Sequence, residues 1–277
     1  MTKYTSYQDR YFAEQLLLKR PQSSYDSLAS AMSGVKVDLN PHQVDAALFA
    51  MQSPLSSGVL MADEVGLGKT IEAGLVLAQY WAERKRNILL IVPAALRTQW
   101  RSELSEKFYI DSLILESSNF NKMRKEGCLN PFDAKNQVVI CSYNFAANKD
   151  SFVHAMPWDL VVLDEAHRLR NVYKPQNVTA NKLKNALKGR KKLLLTATPL
   201  QNNLMELYGL VSFIDEHVFG DAKTFREMYV AVNNAELRNR NLRDRLSVFC
   251  KRTLRKQVTE YVRYTAVSYT HLTLPTT

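Results

Sequence analysis

GVLMADEVGLGKT, residues 58–70, runs from an apolar segment into a loop that closes on Gly68, Lys69 and Thr70. The general phosphate-binding loop is glycine, four residues, glycine, lysine, then serine or threonine. Here Asp63 stands where the first glycine is expected. The segment before the loop has the continuous apolarity of a buried strand, and Ile71, Leu75, Ala78 and Ala82 recur at helical spacing after it. The loop therefore joins a strand to the start of a helix, where backbone N–H groups and the positive helix end converge on an anion. Gly66 and Gly68 allow the chain to close around phosphate oxygens without a Cβ in the way. Lys69 is placed to reach the outer phosphates and the Thr70 hydroxyl to ligate Mg²⁺, with Leu67 and Ile71 completing the loop.

Five further apolar runs share this texture: ILLIV (88–92), SLILE (112–116), QVVIC (137–141), DLVVL (159–163) and KLLLT (192–196). Unbroken rather than alternating apolarity predicts strands covered on both faces. Helical stretches between them predict an α/β fold around a mostly parallel central sheet. From about residue 216 strand-like runs are no longer evident, and Leu242, Leu246, Phe249 and Thr253 mark one face of an expected basic helix. Residues 221–263 hold eleven Lys or Arg against five Asp or Glu, which suits either a solvated face or a polyanion-binding one.

The 277 residues suffice for one large domain or two small ones. Their net charge of +10 favours polyanionic partners. Cys128, Cys141 and Cys250 have neither zinc-site spacing nor an even disulfide count, and are expected to be reduced thiols in the cytoplasm. No run approaches the roughly 18 apolar residues of a membrane span, and MTKYTSYQDR has no secretory pattern. The final stretch VSYTHLTLPTT (267–277) reads in frame as a transposon-end adapter used in sequencing libraries. It is expected to be an artefact at the end of a cut gene.

Two other stretches carry chemistry. DEAH at 164–167 follows the run DLVVL directly, 94 residues after Thr70 (164 minus 70). A carboxylate at a strand end can hold a metal while its neighbour orients and deprotonates an attacking water, which suits Asp164 and Glu165 respectively. LLLTATPLQN (193–202) is again a strand followed by hydroxyl residues and a proline turn. There Thr196 and Thr198 could sense a phosphate or its loss.

In order along the chain, ADEVGLGKT, IVPAALRTQW (91–100), CSYNF (141–145), DEAHRLRN (164–171) and TATPLQN (196–202) resemble the first motor domain of SWI/SNF-type ATPases of helicase superfamily two. The likeness is greatest to their bacterial branch, which includes RapA, and runs from about Leu39 to Arg263. That family commonly carries Asp at the position of Asp63. The resemblance implies a RecA-like domain over 39–215, a helical extension over 216–266 toward a second such domain, and an accessory segment over 1–38. It implies ATP and Mg²⁺ as ligands, with LNPHQ (39–43) offering Gln43 to read adenine through both amide groups. It implies coupling through His167, Thr196, Thr198 and Gln201. Arg97, Thr98, Gln99, Ser142 and Tyr143 are its nucleic-acid candidates, with contact chiefly to phosphate. The implied activity is ATP-driven movement on double-stranded DNA. A strand-separating helicase on DNA or RNA, and a nucleotide-gated remodeller of a complex such as RNA polymerase, are the alternatives.

Other residues have plainer readings. Trp100 is expected in the core rather than stacked on a base. Arg168 and Arg170 are equally suited to a nucleic-acid track and to solvent. His42, His154 and His217 have no second ligand at metal spacing. Tyr4, Tyr7, Tyr11 and Phe12 suggest the packed side of an N-terminal helix.

Overall fold

A computed structural model describes residues 35–52, 57–201, 203–231 and 235–258. The N-terminal tyrosines, the adapter-like tail and Arg263 lie outside the described residues. Before the loop come α1 (Pro41–Gln52) and β1 (Gly58–Met61); after it, α2 (Lys69–Ala82) leads to β2 (Ile88–Val92). Next are α3 (Arg97–Phe108), β3 (Ser112–Ile114), α4 (Ser117–Lys125), β4 (Val138–Ser142), α5 (Tyr143–Asn148) and α6 (Asp150–His154). They are followed by β5 (Leu160–Leu163), α7 (Val178–Ala186), β6 (Lys192–Leu195), α8 (Leu204–Ile214), α9 (Ala222–Phe225), α10 (Ala235–Leu246) and β7 (Cys250–Lys251).

Among the described residues, seven strands form one sheet in the order β3-β4-β2-β5-β6-β1-β7, and every pairing is parallel. All six apolar runs are strands of it, which makes the chain an α/β protein. Their continuous apolarity follows from packing on both faces. Along β2, Leu89 and Ile91 enter one core while Ile88, Leu90 and Val92 enter the other. The first core takes side chains from α5, α7 and α8; the second takes them from α1, α2 and α3. Because all strands run the same way, the loops after β1, β2, β4, β5 and β6 open on a single edge, where open parallel sheets bind ligands.

The segment from 216 onward differs from its expected all-helical character. Cys250 and Lys251 form β7, in register with Leu60 and Met61 of β1. Two residues are too short for hydropathy to register as a strand. The expected helix face is also divided: α10 ends at Leu246, so Phe249 and Thr253 lie beyond the helix. Phe225, Tyr229, Leu242 and Phe249 are buried in the same core as α8, so this segment packs on the sheet domain.

Candidate nucleotide site

The loop leaves β1 and turns into α2 through Gly68, whose φ of 90° is open to glycine and strained for other residues. A Cβ there would also lie 2.3 Å from Gln43 Nε2. Lys69 curls back so that its ammonium donates to the carbonyl oxygens of Asp63 (2.8 Å) and Glu64 (3.1 Å). Partial burial lowers the Lys69 pKa, and the charges of Glu72, Asp63, Glu165 and Asp164 oppose that shift. The lysine thus feels the carboxylates of its own loop and those of DEAH. This agrees with the topology: β1 and β5 are separated only by β6, about 10 Å across the sheet.

Asp63 requires a correction as a cofactor-binding residue. Its side chain is 0 % exposed, and Oδ1 accepts the Thr253 N–H at 2.6 Å. Glu72, also 0 % exposed, faces it. Burial, and next the charge of Asp63, pushes Glu72 up to about 9, so it is protonated at neutral pH. Two acceptor-only carboxylates would leave Asp63 Oδ2 and both Glu72 oxygens without donors; a proton on Glu72 supplies one. The carboxylate in place of glycine therefore ties the loop to the chain after β7. That chain runs beside the whole loop: Glu64 N–H donates to Thr253 O (3.2 Å), Arg255 N–H to Glu64 Oε2 (2.9 Å), and the Arg255 guanidinium to Val65 O (2.7 Å). The sequence pattern puts Thr253 on a helix face and says nothing of Arg255, because nothing local connects either residue to the loop.

Ile71 offers no free donor, since its N–H bonds Gly68 O and its side chain is buried. Leu67 is buried too, and its carbonyl accepts Gln43 Nε2 at 3.0 Å and pairs with His42 Nε2 at 2.9 Å. Gln43 Oε1 accepts the Asn40 N–H at 3.1 Å. One Nε2 hydrogen and one Oε1 lone pair remain for a base. Gly66 is exposed, and Thr70 is half-buried at the first turn of α2.

Beyond β5, Asp164 Oδ2 accepts the Trp100 indole N–H (2.8 Å), and Oδ1 accepts the amide of Glu165 (2.8 Å). Burial raises the Asp164 pKa, and these two donors act against it. Glu165 has φ 52° and ψ 47°, a left-handed conformation that costs a non-glycine residue on the order of 1–3 kcal/mol and gathers at functional sites. Its Oε2 lies 2.9 Å from His167 Nδ1. A hydroxyl from Thr70 and a carboxylate from Asp164 suit magnesium, which takes few protein oxygens and completes its shell with water and phosphate.

Thr196 is fully buried, its N–H on Met61 O and its Oγ1 accepting the Thr198 N–H at 3.2 Å; Thr198 is exposed. Arg170 joins the acidic motif to the threonine motif. Its guanidinium donates to Gln201 Oε1 (2.7 Å), to Glu206 Oε2 (3.2 Å) and to the His167 carbonyl (2.8 Å). At 9 % exposure, Arg170 is neither a solvated residue nor a track residue, whereas Arg168 is exposed. Gly209 on α8 lets this turn sit close, because a Cβ there would meet Arg170 O at 1.9 Å.

The nucleic-acid candidates divide. Thr98 and Gln99 are exposed at the start of α3. Arg97 pairs with Glu116 at 3.1 Å, and Ser142 Oγ accepts the Phe145 N–H to cap α5. Arg97, Glu116, Ser117, Ser118, Ser142 and Phe145 line a shallow groove. Tyr143 is corrected: at 5 % exposure it faces inward, and its hydroxyl donates to Asp164 O at 2.7 Å. Trp100, 2 % exposed, is core as expected.

Comparison with known proteins identifies relatives of the chain and of its fold. The chain is 35% identical over 207 residues to an uncharacterized ATP-dependent helicase, YqhH, of Bacillus subtilis (strain 168). The match covers 74% of the chain and 34% of that relative, so the chain spans about a third of its length. The SWI2/SNF2 ATPase core of Sulfolobus solfataricus in complex with dsDNA superposes with a TM-score of 0.68 at 22% identity, over 80% of this chain and 45% of that one. The same core domain in a second structure gives 0.64 at 20% identity, over 79% and 44%. Likeness at that identity establishes the RecA-like fold seen in those cores. A family model for the SNF2-related domain matches residues 28–275, most of the chain, and the chain belongs to that family, within helicase superfamily two.

Proposed function

We propose that the chain is the nucleotide-binding half of a motor that hydrolyses ATP and moves along duplex DNA. The observation that carries this reading is the parallel order of β5, β6 and β1, which brings the phosphate loop after β1 and the acidic pair after β5 to one sheet edge; the charges of Asp164 and Glu165 accordingly act on the Lys69 pKa. Lys69 exchanges its loop carbonyls for the outer phosphates, while the amides around Gly66 and Gly68 hold the phosphate chain. Thr70 and Asp164 would hold Mg²⁺, which would supply neutralisation of charge developing on the phosphates. Glu165 orients water and takes its proton, and its contact with His167 keeps the carboxylate turned. Through Arg170, the state of this pair reaches Gln201 and α8.

Duplex DNA is the favoured track because the chain resembles SWI/SNF-type motors and the similarly folded Sulfolobus solfataricus core was solved in complex with dsDNA. Thr98, Gln99 and the Arg97 groove face outward to meet phosphates. We place the protein in the cytoplasm, in keeping with free thiols at Cys128, Cys141 and Cys250.

The test is equilibrium binding of a fluorescent ATP analogue to the chain with and without Mg²⁺. Binding should require Mg²⁺ for full affinity, be lost in Lys69→Ala and survive in Glu165→Gln. Equal binding by wild type and Lys69→Ala defeats the site assignment. For movement on DNA, displacement of a triplex strand without separation of the duplex is the expected signature.

A further inference from the structure

Asp164 is held by two elements that the ATP chemistry does not otherwise use. The Trp100 indole donates to its Oδ2 at 2.8 Å from α3, and the Tyr143 hydroxyl donates to its backbone carbonyl at 2.7 Å from α5. Both donors are buried, at 2 % and 5 % exposure. Both also directly follow outward candidates for nucleic acid: Trp100 comes after Thr98 and Gln99, and Tyr143 after Ser142. Tyr143 starts at the end of β4, which is separated from β5 by β2, so its ring spans an intervening strand to reach Asp164. A buried indole N–H needs an acceptor, yet a neutral carbonyl would satisfy it. Here the acceptor is the carboxylate oxygen itself. The other oxygen is fixed by the Glu165 amide, so the Asp164 carboxylate is pinned at both ends.

We propose that Trp100 and Tyr143 are positioning residues for Asp164, fixing its carboxylate and backbone in metal-binding orientation and linking that orientation to the two surface segments that carry them. The role rests on the reading of Asp164 as a magnesium ligand. Groups behind a metal ligand typically govern metal affinity by about 10- to 100-fold. A shift of the α3 start or of the β4–α5 junction would tilt the indole or the phenol. The displacement would reach the carboxylate with no intermediate side chain.

Trp100→Phe keeps a ring in the core and removes only the donor; Tyr143→Phe removes a single hydroxyl. The experiment measures Mn²⁺ affinity of the chain by electron paramagnetic resonance in the presence of ADP, with ADP affinity measured separately in EDTA. Trp100→Phe is expected to weaken Mn²⁺ binding about 10- to 100-fold, and Tyr143→Phe by a smaller factor, while metal-free ADP affinity stays at the wild-type value. A merely structural role would lower the melting temperature without separating metal from nucleotide. Should Trp100→Phe fail to fold, Tyr143→Phe decides. Mn²⁺ affinity within about twofold of wild type in the folded variants overturns the positioning role and leaves the nucleotide site standing. Wild-type chain that binds ADP no better with Mn²⁺ than in EDTA defeats the magnesium reading and this inference with it.

Discussion

Asp63 replaces backbone freedom at the loop's first position with a bond to Thr253, 190 residues later in the chain. Restoring the general loop by Asp63→Gly removes that acceptor and strands the buried Thr253 N–H, and it also takes away the partner of Glu72. Hydrogen bonds to charged acceptors contribute about 1.5–3 kcal/mol, so the glycine variant should lose stability of that order even though it looks more like a standard phosphate loop. Chemical denaturation midpoints of Asp63→Gly and wild type check this, and an unchanged or higher midpoint contradicts it. The contrast marks what a single sequence conveys. Lys69, Thr70, Asp164 and Glu165 are legible as candidates because each occupies a fixed position relative to the end of an apolar run. The tie from Asp63, the inward turn of Tyr143 and the Trp100 bond are not, since each depends on how distant strands are ordered side by side.

The six strands from β1 to β6 are legible for the same local reason: both faces of the sheet are covered, so strands of three to five residues read as unbroken runs. β7 escapes because it has two residues and is recruited by β1 rather than by its own hydropathy. The foot of β6 carries another feature hidden from pattern reading. Lys192 opens that strand at 3 % exposure, and its ammonium donates to Arg190 O (3.1 Å) and to Ile214 O (3.3 Å) at the end of α8. Burial lowers it to about 8; Asp215 and Glu216 nearby favour the charge, and Lys184 opposes it. Because the folded pKa lies below that of the unfolded chain, the unfolded state holds more protons between about pH 8 and the ordinary lysine value of 10.5. Stability contributed by this group therefore rises with pH across that window and falls as pH drops through 8. In Lys192→Met that rise should be absent, leaving a difference between variant and wild type that changes by on the order of 1–3 kcal/mol from pH 8 to 10. Denaturant melts at three pH values measure it, and parallel pH curves for the two proteins refute it.

Across the whole molecule, charge and architecture point to the same partner. The chain carries +10, with an excess of basic residues in 221–263, and Arg168, Arg240, Arg243 and Arg245 are exposed. The same sheet edge that presents Lys69 and the acidic pair also presents Thr98, Gln99 and the Arg97 groove. Binding driven by these groups would be to phosphate and would release condensed counterions, each phosphate neutralised contributing about −0.9 to the slope of log affinity against log salt on duplex DNA. With Arg97 and a few exposed arginines engaged, the slope should lie near −3, by that per-phosphate value. Replacing Arg97 by alanine should reduce the slope by roughly one while weakening binding to all sequences alike, since phosphate contacts position without reading bases. Glu116 competes for the same guanidinium, so Glu116→Gln should move affinity the other way. Fluorescence anisotropy of a labelled duplex from low to moderate salt distinguishes the outcomes. A flat dependence, or a slope that Arg97→Ala leaves untouched, would mean that this edge does not face DNA and that the basic charge is solvated surface.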